Sequence, residues 1–391
     1  MKKYLILFIS ISLAFALQAQ SGKTSYSEKA EFMFQKVWNL YRVPQHGLFS
    51  EYYPNTHKPN LTYFQDNTDK NAKEVSYLWP MSGVFSAVNV LMEIDKKKYK
   101  PYLDSMVTAV ENYYDAARIP AGYQAYPVKF EKVDRYYDDN GLVGIDYVDA
   151  YNVTKNKAYL NKAKEVLRFI QSGWSDDFGG GVSWLEGIRD QKPACSNGKA
   201  TVLCLKLYQA TKDRAFLEQA KLYYNWMMHT LEDDSLHIIM NSLITTTGLP
   251  QKHYYTYNTG TMIQSSVRLY KITGEKKYLE NAKRLSEGSY NFYVKKTTDG
   301  VSYIKDLPWF VVVLFRGYQE LYEVDGNPKY INAIIESADY AWENARDEAG
   351  LIYNDWTGQN DEKKTPKWLL DESCMAELYA RIVLIKEKTK K

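Results

Sequence analysis

The 391-residue chain is predicted to be all-α, an (α/α)6 toroid in which six helical hairpins build an inner and an outer ring of helices. A recurring motif, a helical periodicity and an alternation of two kinds of helical run predict this fold. The motif is an aromatic residue at the start of a helix that follows a short polar turn, as in Lys157-Ala158-Tyr159-Leu160. Its copies recur every 52 to 62 residues, with aromatic side chains at Tyr102, Tyr159, Phe216, Tyr278 and Tyr330. A step of that length holds two helices and two loops.

The residues after each motif repeat with the period of an α-helix. Residues 159, 163, 166, 167 and 170 are apolar and fall on one stripe of the helix. Runs richer in small and apolar residues lie between these amphipathic helices, at 75–94, 141–153, 198–210, 260–272, 308–324 and 373–385. Six such runs alternate with six outer helices, the first at 27–41, and six units close a ring. An open solenoid is the alternative, but its common repeats of about 20 to 47 residues are shorter.

The connections between the predicted helices have two lengths. Short polar turns lead from an inner helix to the next outer helix, and the connections back are long, at 42–73, 118–137, 173–196, 231–257, 294–306 and 346–369. In a ring of hairpins, all six long connections lie on one face, at the N-termini of the inner helices. Long ordered loops usually carry function. The six long connections are rich in Tyr and Trp, whose flat rings with a polar edge suit stacking on sugars. The alternative is that these rings pack within the loops.

The N-terminus predicts export. Basic residues 1–3 are followed by an apolar run at 4–17 and by Gln18-Ala19-Gln20, which is the layout of a signal peptide over residues 1–19. The apolar run is shorter than the roughly 20 residues that span a bilayer, and no second run approaches that length. Residues 20–391 are therefore predicted to form a single domain without a membrane span, monomeric and either periplasmic or secreted.

Composition argues against several functions. The 50 basic and 47 acidic side chains nearly balance, so a nucleic-acid partner is not expected. The three cysteines form no CxxC motif and the five histidines form no HExxH motif, so no metal site is predicted. Cys204 and Cys374 lie inside helical patterns and are predicted to be small buried residues.

The strongest chemical signal is the adjacent pair Asp138 and Asp139 at the start of an inner helix, on the face of the long connections. Helix capping is the alternative role, because aspartate is a preferred N-cap residue. Glycoside hydrolysis needs one protonated and one ionised carboxyl, and adjacent residues can hold theirs on the order of 5–6 Å apart, near the spacing of retaining enzymes. Like charges that close push the two pKa values apart. Weaker acidic candidates are Asp146, Asp149, Asp176, Asp177, Asp233, Asp234, Asp371 and Glu372.

Around this pair the sequence resembles glycoside hydrolase family 76, the α-1,6-mannanases, over nearly the whole mature chain. The resemblance rests on Tyr136-Tyr137-Asp138-Asp139, which is similar to the paired catalytic aspartates of the family. Supporting segments are Tyr77-Leu78-Trp79-Pro80-Met81, Gly179-Gly180-Gly181-Val182-Ser183-Trp184, Lys192-Pro193-Ala194-Cys195-Ser196-Asn197 and Tyr257-Asn258-Thr259-Gly260. The sequence departs from the family at Thr259, where Gln is usual, and at Ser183, where a second aromatic residue is frequent.

The resemblance implies an exported glycoside hydrolase that cleaves α-1,6-mannosidic bonds within mannan and retains the anomeric configuration. It implies that Asp138 is the nucleophile and Asp139 the general acid/base, with no cofactor and no metal. The side chains expected to contact the α-mannan polysaccharide or oligosaccharide are Trp79, Tyr136, Tyr137, Trp184, Asn197, Tyr257, Asn258 and Asp371.

Two alternative functions stay open at this point. One is another enzyme on the same toroid, either an unsaturated-uronyl hydrolase or a sugar epimerase. A uronyl substrate would need basic residues in the mouth of the barrel, and an epimerase would need pairs of histidines there. The other is a non-catalytic glycan-binding protein, which would keep the aromatic residues without needing both carboxyls.

Overall fold

The computed structural model describes residues 24–55, 73–359 and 366–388, so the predicted signal peptide at 1–19 lies outside the described residues. The described residues form twelve α-helices: α1 (Tyr26–Leu40), α2 (Leu78–Ile94), α3 (Lys96–Val110), α4 (Tyr137–Thr154), α5 (Lys157–Gln171), α6 (Ala194–Thr211), α7 (Arg214–Thr230), α8 (Thr256–Thr273), α9 (Lys276–Tyr293), α10 (Pro308–Asp325), α11 (Lys329–Asn344) and α12 (Leu369–Lys388).

The even-numbered helices form an inner ring. Each of them packs against the next, and α12 packs against α2, so the ring closes. The odd-numbered helices lie outside it, with α1 against α12, α3 against α2 and α5 against both α4 and α6. The inner helices are buried over most of their length, whereas an outer helix such as α5 buries only one stripe. The predicted (α/α)6 toroid of six helical hairpins is confirmed.

The outer helices begin at polar caps, as the repeat motif predicts. Asn156 caps α5 by accepting a hydrogen bond from the backbone N–H of Ala158, and Asp213 caps α7 in the same way. Just before these caps, Lys155 and Lys212 end the inner helices in the left-handed conformation, at φ 62°. The short polar turns therefore stop one helix and start the next.

The inner helices α4, α6 and α8 begin four residues before the predicted starts at 141, 198 and 260. A glycine stands at each predicted start, but these glycines lie inside the helices. A Cβ on Gly260 would lie 2.4 Å from the Cα of Leu314 on α10, and one on Gly141 would lie 2.6 Å from the Cβ of Lys199 on α6. Glycine is therefore needed here for the close approach of neighbouring inner helices. As a result, the aspartate pair lies within the first turn of α4.

The long connections also contain short strands, which alternation in the sequence does not reveal because each spans only two or three residues. They are β1 (Arg42–Val43), β2 (Leu48–Phe49), β3 (Tyr52–Tyr53), β4 (Tyr114–Asp115), β5 (Gly122–Tyr123), β6 (Gln191–Pro193), β7 (Glu232–Asp233), β8 (Ile238–Ile239), β9 (Ser242–Ile244), β10 (Leu249–Gln251), β11 (Val294–Lys296), β12 (Ser302–Ile304) and β13 (Lys367–Trp368). The antiparallel pairs β6 with β9 and β13 with β3 join different connections to each other. Across the described ranges, no helix is long and apolar enough to cross a membrane.

Candidate active site

Asp138 and Asp139 lie in the first turn of α4, at the mouth of the inner ring. The N-cap position belongs to Tyr136, whose side chain makes no capping hydrogen bond, so neither aspartate is the N-cap residue. Both residues are half-buried, and the Oδ1 atom of Asp138 is fully buried. The positive end of the helix dipole favours negative charge at this position.

Asn140, the next residue, fixes the first turn of α4 on strand β5. Its side-chain oxygen accepts a hydrogen bond from the backbone N–H of Tyr123, and its side-chain nitrogen donates to the carbonyl of the same residue, both at 2.8 Å. Asn197 does the same at the start of α6, where it bonds both backbone groups of Val182 at 2.7 and 2.9 Å. These amides hold the long connections against the inner helices and so set the shape of the mouth.

The aspartate pair borders a cavity of about 230 Å³ at the mouth of the barrel. Its walls come from α2, α4, α6, α8, α10 and the long connections, through Trp79, Asp138, Asp139, Leu142, Trp184, Gln191, Pro193, Cys195, Lys199, Asn241, Tyr257, Trp309 and Phe310. A smaller space, also bordered by the aspartate pair, is lined by Tyr77, Ala125 and Tyr136. Both aspartates, together with Trp79 and Trp184, therefore line both spaces.

Aromatic rings in mutual contact form much of the cavity wall. The ring of Trp79 lies parallel to that of Phe310, with 6.1 Å between the ring centres, and meets Trp368 edge-on at 5.2 Å. The ring of Tyr257 lies 4.3 Å from that of Phe310. On the side of the pair, Tyr136 and Trp184 lie 4.9 Å apart. Flat rings with polar edges provide stacking faces for sugar rings.

The two carboxyls are electrostatically unequal. Burial, and then the neighbouring charge of Asp138, raise the pKa of Asp139 well above its usual value. Burial also raises the pKa of Asp138, but the Cys195 thiol and the Lys199 ammonium lower it again. Asp138 is therefore the carboxyl that ionises first, and Asp139 is the one that keeps its proton. One oxygen of Asp138, Oδ1, finds no hydrogen-bond donor among the described residues.

Four of the eight predicted substrate contacts lie at these spaces. Trp79, Trp184 and Tyr257 line the main cavity together with the aspartate pair. Tyr136 borders the smaller space. The structure brings these side chains together from α2, α4, α8 and the connection before α6.

The other four lie elsewhere. The ring of Tyr137 stacks on Phe169 of α5 at 4.9 Å, because successive side chains of a helix point about 100° apart and this one faces the outer ring. Asn197 is fully buried in its bonds to Val182. Asn258 is buried as well, and its amide has no partner among the described residues. Asp371 is buried, with an oxygen 3.5 Å from the backbone nitrogen of Trp309.

Sequence reasoning missed several lining residues, above all Cys195 and Lys199. The position of a residue relative to the glycine of its inner helix is a signal that would have identified these lining residues. Asp138, Cys195 and Tyr257 each stand three residues before the glycine of their inner helix, and all three line the cavity. Lys199 directly follows Gly198, just as Leu142 follows Gly141.

The lining residues also bear on the alternative functions. No histidine occurs among the residues that line the described cavity, and Lys199 is its basic side chain. Within the ranges that the structure describes, no three His, Cys, Asp or Glu side chains are placed to hold a metal ion.

A carboxyl pair in an aromatic-walled cavity at the mouth of an (α/α)6 barrel defines the class of glycoside hydrolases that work with two carboxyl groups. The chain belongs to Glycosyl hydrolase family 76, whose sequence profile matches residues 28–380. The predicted family and the predicted class of enzyme are thus confirmed, and the non-catalytic alternative is set aside.

Known proteins similar to this chain include a curated mannan endo-1,6-alpha-mannosidase of Candida glabrata, 26% identical over 147 residues, which are 34% of this chain and 32% of that protein. The match thus spans about a third of that relative. A family 76 mannosidase structure from Bacteroides thetaiotaomicron is 28% identical, with 93% of this chain and 99% of that chain covered and a TM-score of 0.82.

A structure from a Salegentibacter species shares the fold, with 24% identity, 93% and 100% of the two chains covered and a TM-score of 0.75. That structure is of an inactive variant of an alpha-1,6-mannanase, with two adjacent aspartates replaced by alanine, in complex with alpha-1,6-mannotetrose.

Proposed function

We propose that this glycoside hydrolase is an exported α-1,6-mannanase that retains the anomeric configuration and cleaves within the mannan chain. Asp138 is the nucleophile and Asp139 the general acid/base. The observation that carries this proposal is the adjacent carboxyl pair in the wall of the aromatic-lined cavity. Burial and the charge of Asp138 raise the pKa of Asp139, which favours it as the proton donor.

The choice of substrate is supported by the chemistry of the walls and by the relatives. Aromatic and aliphatic side chains dominate the cavity, which suits an uncharged sugar chain. The Candida glabrata relative acts on mannan at 1,6-α bonds, and the Bacteroides relative is a mannosidase. An unsaturated-uronyl substrate is the less suitable alternative, because Lys199 is surrounded by rings and faces Asp138.

The reaction follows from the protonation states of the pair. Protonated Asp139 donates its proton to the glycosidic oxygen while the Asp138 carboxylate attacks the anomeric carbon, which gives a glycosyl-enzyme and releases the leaving sugar. Asp139, now ionised, takes a proton from a water molecule that attacks the same carbon. The ester to Asp138 then breaks, and Asp139 is protonated again. Two inversions at one carbon give net retention.

The first experiment replaces Asp138→Asn and Asp139→Asn separately and measures turnover of a linear α-1,6-mannan. Each variant should lose about 10²-fold or more, since each removes a group that acts in the transition state. Asp134→Asn is the matched control, because Asp134 lies just ahead of the pair but outside the cavity, and it should keep near wild-type turnover. Near wild-type turnover in either variant of the pair would refute the assignment.

The roles within the pair can be separated with an electron-poor aryl leaving group, which departs without protonation. On an aryl α-1,6-mannobioside, Asp139→Ala should form the glycosyl-enzyme, and added azide should release an α-mannosyl azide. Asp138→Ala should give the β-azide instead, because azide then attacks the anomeric carbon directly. The opposite pairing of products would exchange the two roles.

Retention and the position of cleavage are read from the products. Proton NMR in the first minutes should show the α-anomer at the new reducing end, and an initial β-anomer would refute retention. Chromatography should show a ladder of intermediate oligosaccharides early in the reaction. Mannose or mannobiose alone from the start would show that the enzyme acts at chain ends.

Export rests on the signal-peptide pattern at residues 1–19. The exported protein should begin at Gln20 when its N-terminus is sequenced, and it should be found in the periplasm or the medium. A chain that keeps Met1 and stays in the cytoplasm would contradict export. Light scattering of the exported protein should give the mass of a monomer.

A further inference from the structure

Lys199 is a buried lysine in the wall of the active-site cavity that the catalytic roles above do not use. Only 3% of its surface is exposed. Its side chain lies against Gly141 of α4, where the two inner helices make close contact. Its ammonium nitrogen lies 5.0 Å from the ring centre of Tyr257 and 5.5 Å from that of Trp309.

Lys199 differs from the other buried lysine of the same helix. Lys206, two turns further along α6, forms an ion pair with Asp149. Lys199 forms no ion pair within 4.0 Å with any described residue. A buried charge that lacks a hydrogen-bonded counterion lowers stability. Contacts with aromatic rings compensate such a charge only in part.

The carboxylate that raises the pKa of Lys199 is Asp138 of the aspartate pair. Cys195 and Lys199 are four residues apart on α6 and share one face of that helix, which faces Asp138. Asp138 interacts electrostatically with Lys199, whereas Asp139 interacts mainly with Asp138. The charged and titratable groups that share a space with Lys199 are Asp138, Asp139 and Asp149 on α4, Cys195 and Lys206 on α6, Tyr257 on α8, Arg316 on α10 and Arg381 on α12.

We propose that Lys199 is a positioning residue that keeps Asp138 as the carboxylate, and so assigns the shared proton of the pair to Asp139. This inference rests on the proposed function, because it explains which aspartate is the nucleophile. A cation beside one of two like carboxyls stabilises the ionised form of that carboxyl and so makes the two pKa values unequal. The helix dipole cannot do so alone, since both aspartates lie in the same turn of α4.

The pH dependence of the reaction follows from this arrangement. Burial lowers the pKa of Lys199 to about 8, against the opposing electrostatic effects of Cys195 and of the Asp138 carboxylate. Lys199 is therefore mostly protonated at neutral pH and loses its charge above about pH 8. Removal of its charge raises the pKa of Asp138, so the acidic limb of the pH profile moves to higher pH.

The first test needs no substrate and so is independent of the proposed function. ¹⁵N-lysine NMR follows the titration of the Lys199 ammonium in the wild-type protein, in Asp138→Asn and in Asp139→Asn. Asp138→Asn should lower the pKa of Lys199 by about one unit, the lower end of the effect of a close opposite charge. Asp139→Asn should change it clearly less. An equal response to both variants, or no response to Asp138→Asn, would overturn the proposal.

The second test uses turnover. Lys199→Met removes the charge and keeps the length of the side chain, and Lys206→Met removes a buried lysine from the same helix away from the pair. Lys199→Met should move the acidic limb of kcat/KM up by about one pH unit and lower kcat about tenfold or more, with a smaller change in KM. Lys199→Arg should restore the position of the limb, and Lys206→Met should leave it in place.

The outcomes are distinguishable. An unmoved acidic limb in Lys199→Met, or equal shifts in Lys199→Met and Lys206→Met, would show that Lys199 has only a structural role. If Lys199→Met does not fold, the NMR titration of Asp138→Asn decides. If the wild-type protein does not hydrolyse mannan but Asp138→Asn lowers the pKa of Lys199, the proposed function fails while the coupling of the two residues stands.

Discussion

The mouth and the middle of the barrel both contain carboxyls on inner helices, in opposite electrostatic surroundings. At the mouth, Asp138 and Asp139 lie side by side, and neither forms an ion pair among the described residues. In the middle, Glu377 of α12 accepts two hydrogen bonds from Arg316 of α10, both at 2.7 Å. Arg381 adds a third, also at 2.7 Å.

The pKa values of Glu377 and Asp139 differ in the same way as their surroundings. Although burial raises it, the pKa of Glu377 is lowered to about 2 by Arg316 and Arg381. The pKa of Asp139 is raised well above its usual value by burial and by Asp138. Glu377 in the middle of the barrel is therefore ionised at physiological pH, whereas the raised pKa of Asp139 at the mouth favours its protonated form. One ring of helices thus contains both a hydrogen-bonded ion cluster and a pair of adjacent carboxyls without an ion-pair partner among the described residues.

The largest expected effect on stability comes from the middle of the barrel. Glu377→Gln leaves Arg316 buried without its counterion, so the free energy of unfolding should fall by about 3–5 kcal/mol at pH 7. Urea unfolding of the wild-type protein and of Glu377→Gln measures this loss of free energy. The double variant with Arg316→Met should recover part of the loss, because the unpaired charge is then gone. A loss below about 1 kcal/mol in Glu377→Gln would show that the cluster does not stabilise the ring.

The pH dependence of this loss has a definite sign. Because the folded pKa of Glu377 lies below the unfolded value of about 4.3, its contribution is complete above that value and disappears as the pH falls toward about 2. The difference between the wild-type protein and Glu377→Gln should therefore shrink between pH 4 and pH 2. A difference that is constant over this range would contradict the assigned ion cluster.

The second prediction concerns the contact that links the two regions. A methyl group on Gly260 would collide with backbone atoms of Leu314, which cannot turn away. Gly260→Ala should lower the free energy of unfolding by about 1–3 kcal/mol and should also lower kcat/KM, because α8 and α10 carry Tyr257 and Trp309. Gly274→Ala, in open space at φ 74°, is the comparison, and it should lower stability by about 1 kcal/mol without a change in kcat/KM.

The smallest effect has the opposite sign and lies at the mouth. Asp139→Asn removes a carboxyl whose folded pKa is above its unfolded value, so it should raise the free energy of unfolding at pH 7 by on the order of 1 kcal/mol while it abolishes turnover. The gain should vanish below about pH 4, where Asp139 is protonated in both states. A stability loss at pH 7 would mean that Asp139 is held by partners as Glu377 is.

The sequence predicted the fold because its signal repeats. Five copies of one motif and six apolar runs report the same architecture, so an error at one helix end does not change the result. The aspartate pair was predicted for a similar reason, since both residues stand at a helix start on the face of the long connections. The starts of α4, α6 and α8 were predicted four residues too late, at glycines that lie inside these helices. These glycines are needed for the close approach of neighbouring helices, which is not visible in one sequence.

Individual contacts were harder to predict than the pair. Tyr137 and Asn197 lie within recognisable motifs, but the turn of the helix points each of them away from the cavity. Lys199 lies within a run of apolar and small residues, where a charge gives no periodic signal. Its position beside Asp138 depends on the packing of α6 against α4, which only the assembled ring defines.

The most direct test of the account is to trap the covalent intermediate. A mannosyl fluoride with a second fluorine on the sugar ring should label the enzyme, because the ring fluorine slows both steps and the fluoride leaving group keeps the first step faster than the second. Mass spectrometry of peptides from the labelled protein locates the sugar. The account predicts one mannosyl group on Asp138, absent from Asp138→Asn. A label on Asp139 or on any other residue, or turnover without any covalent intermediate, would contradict it.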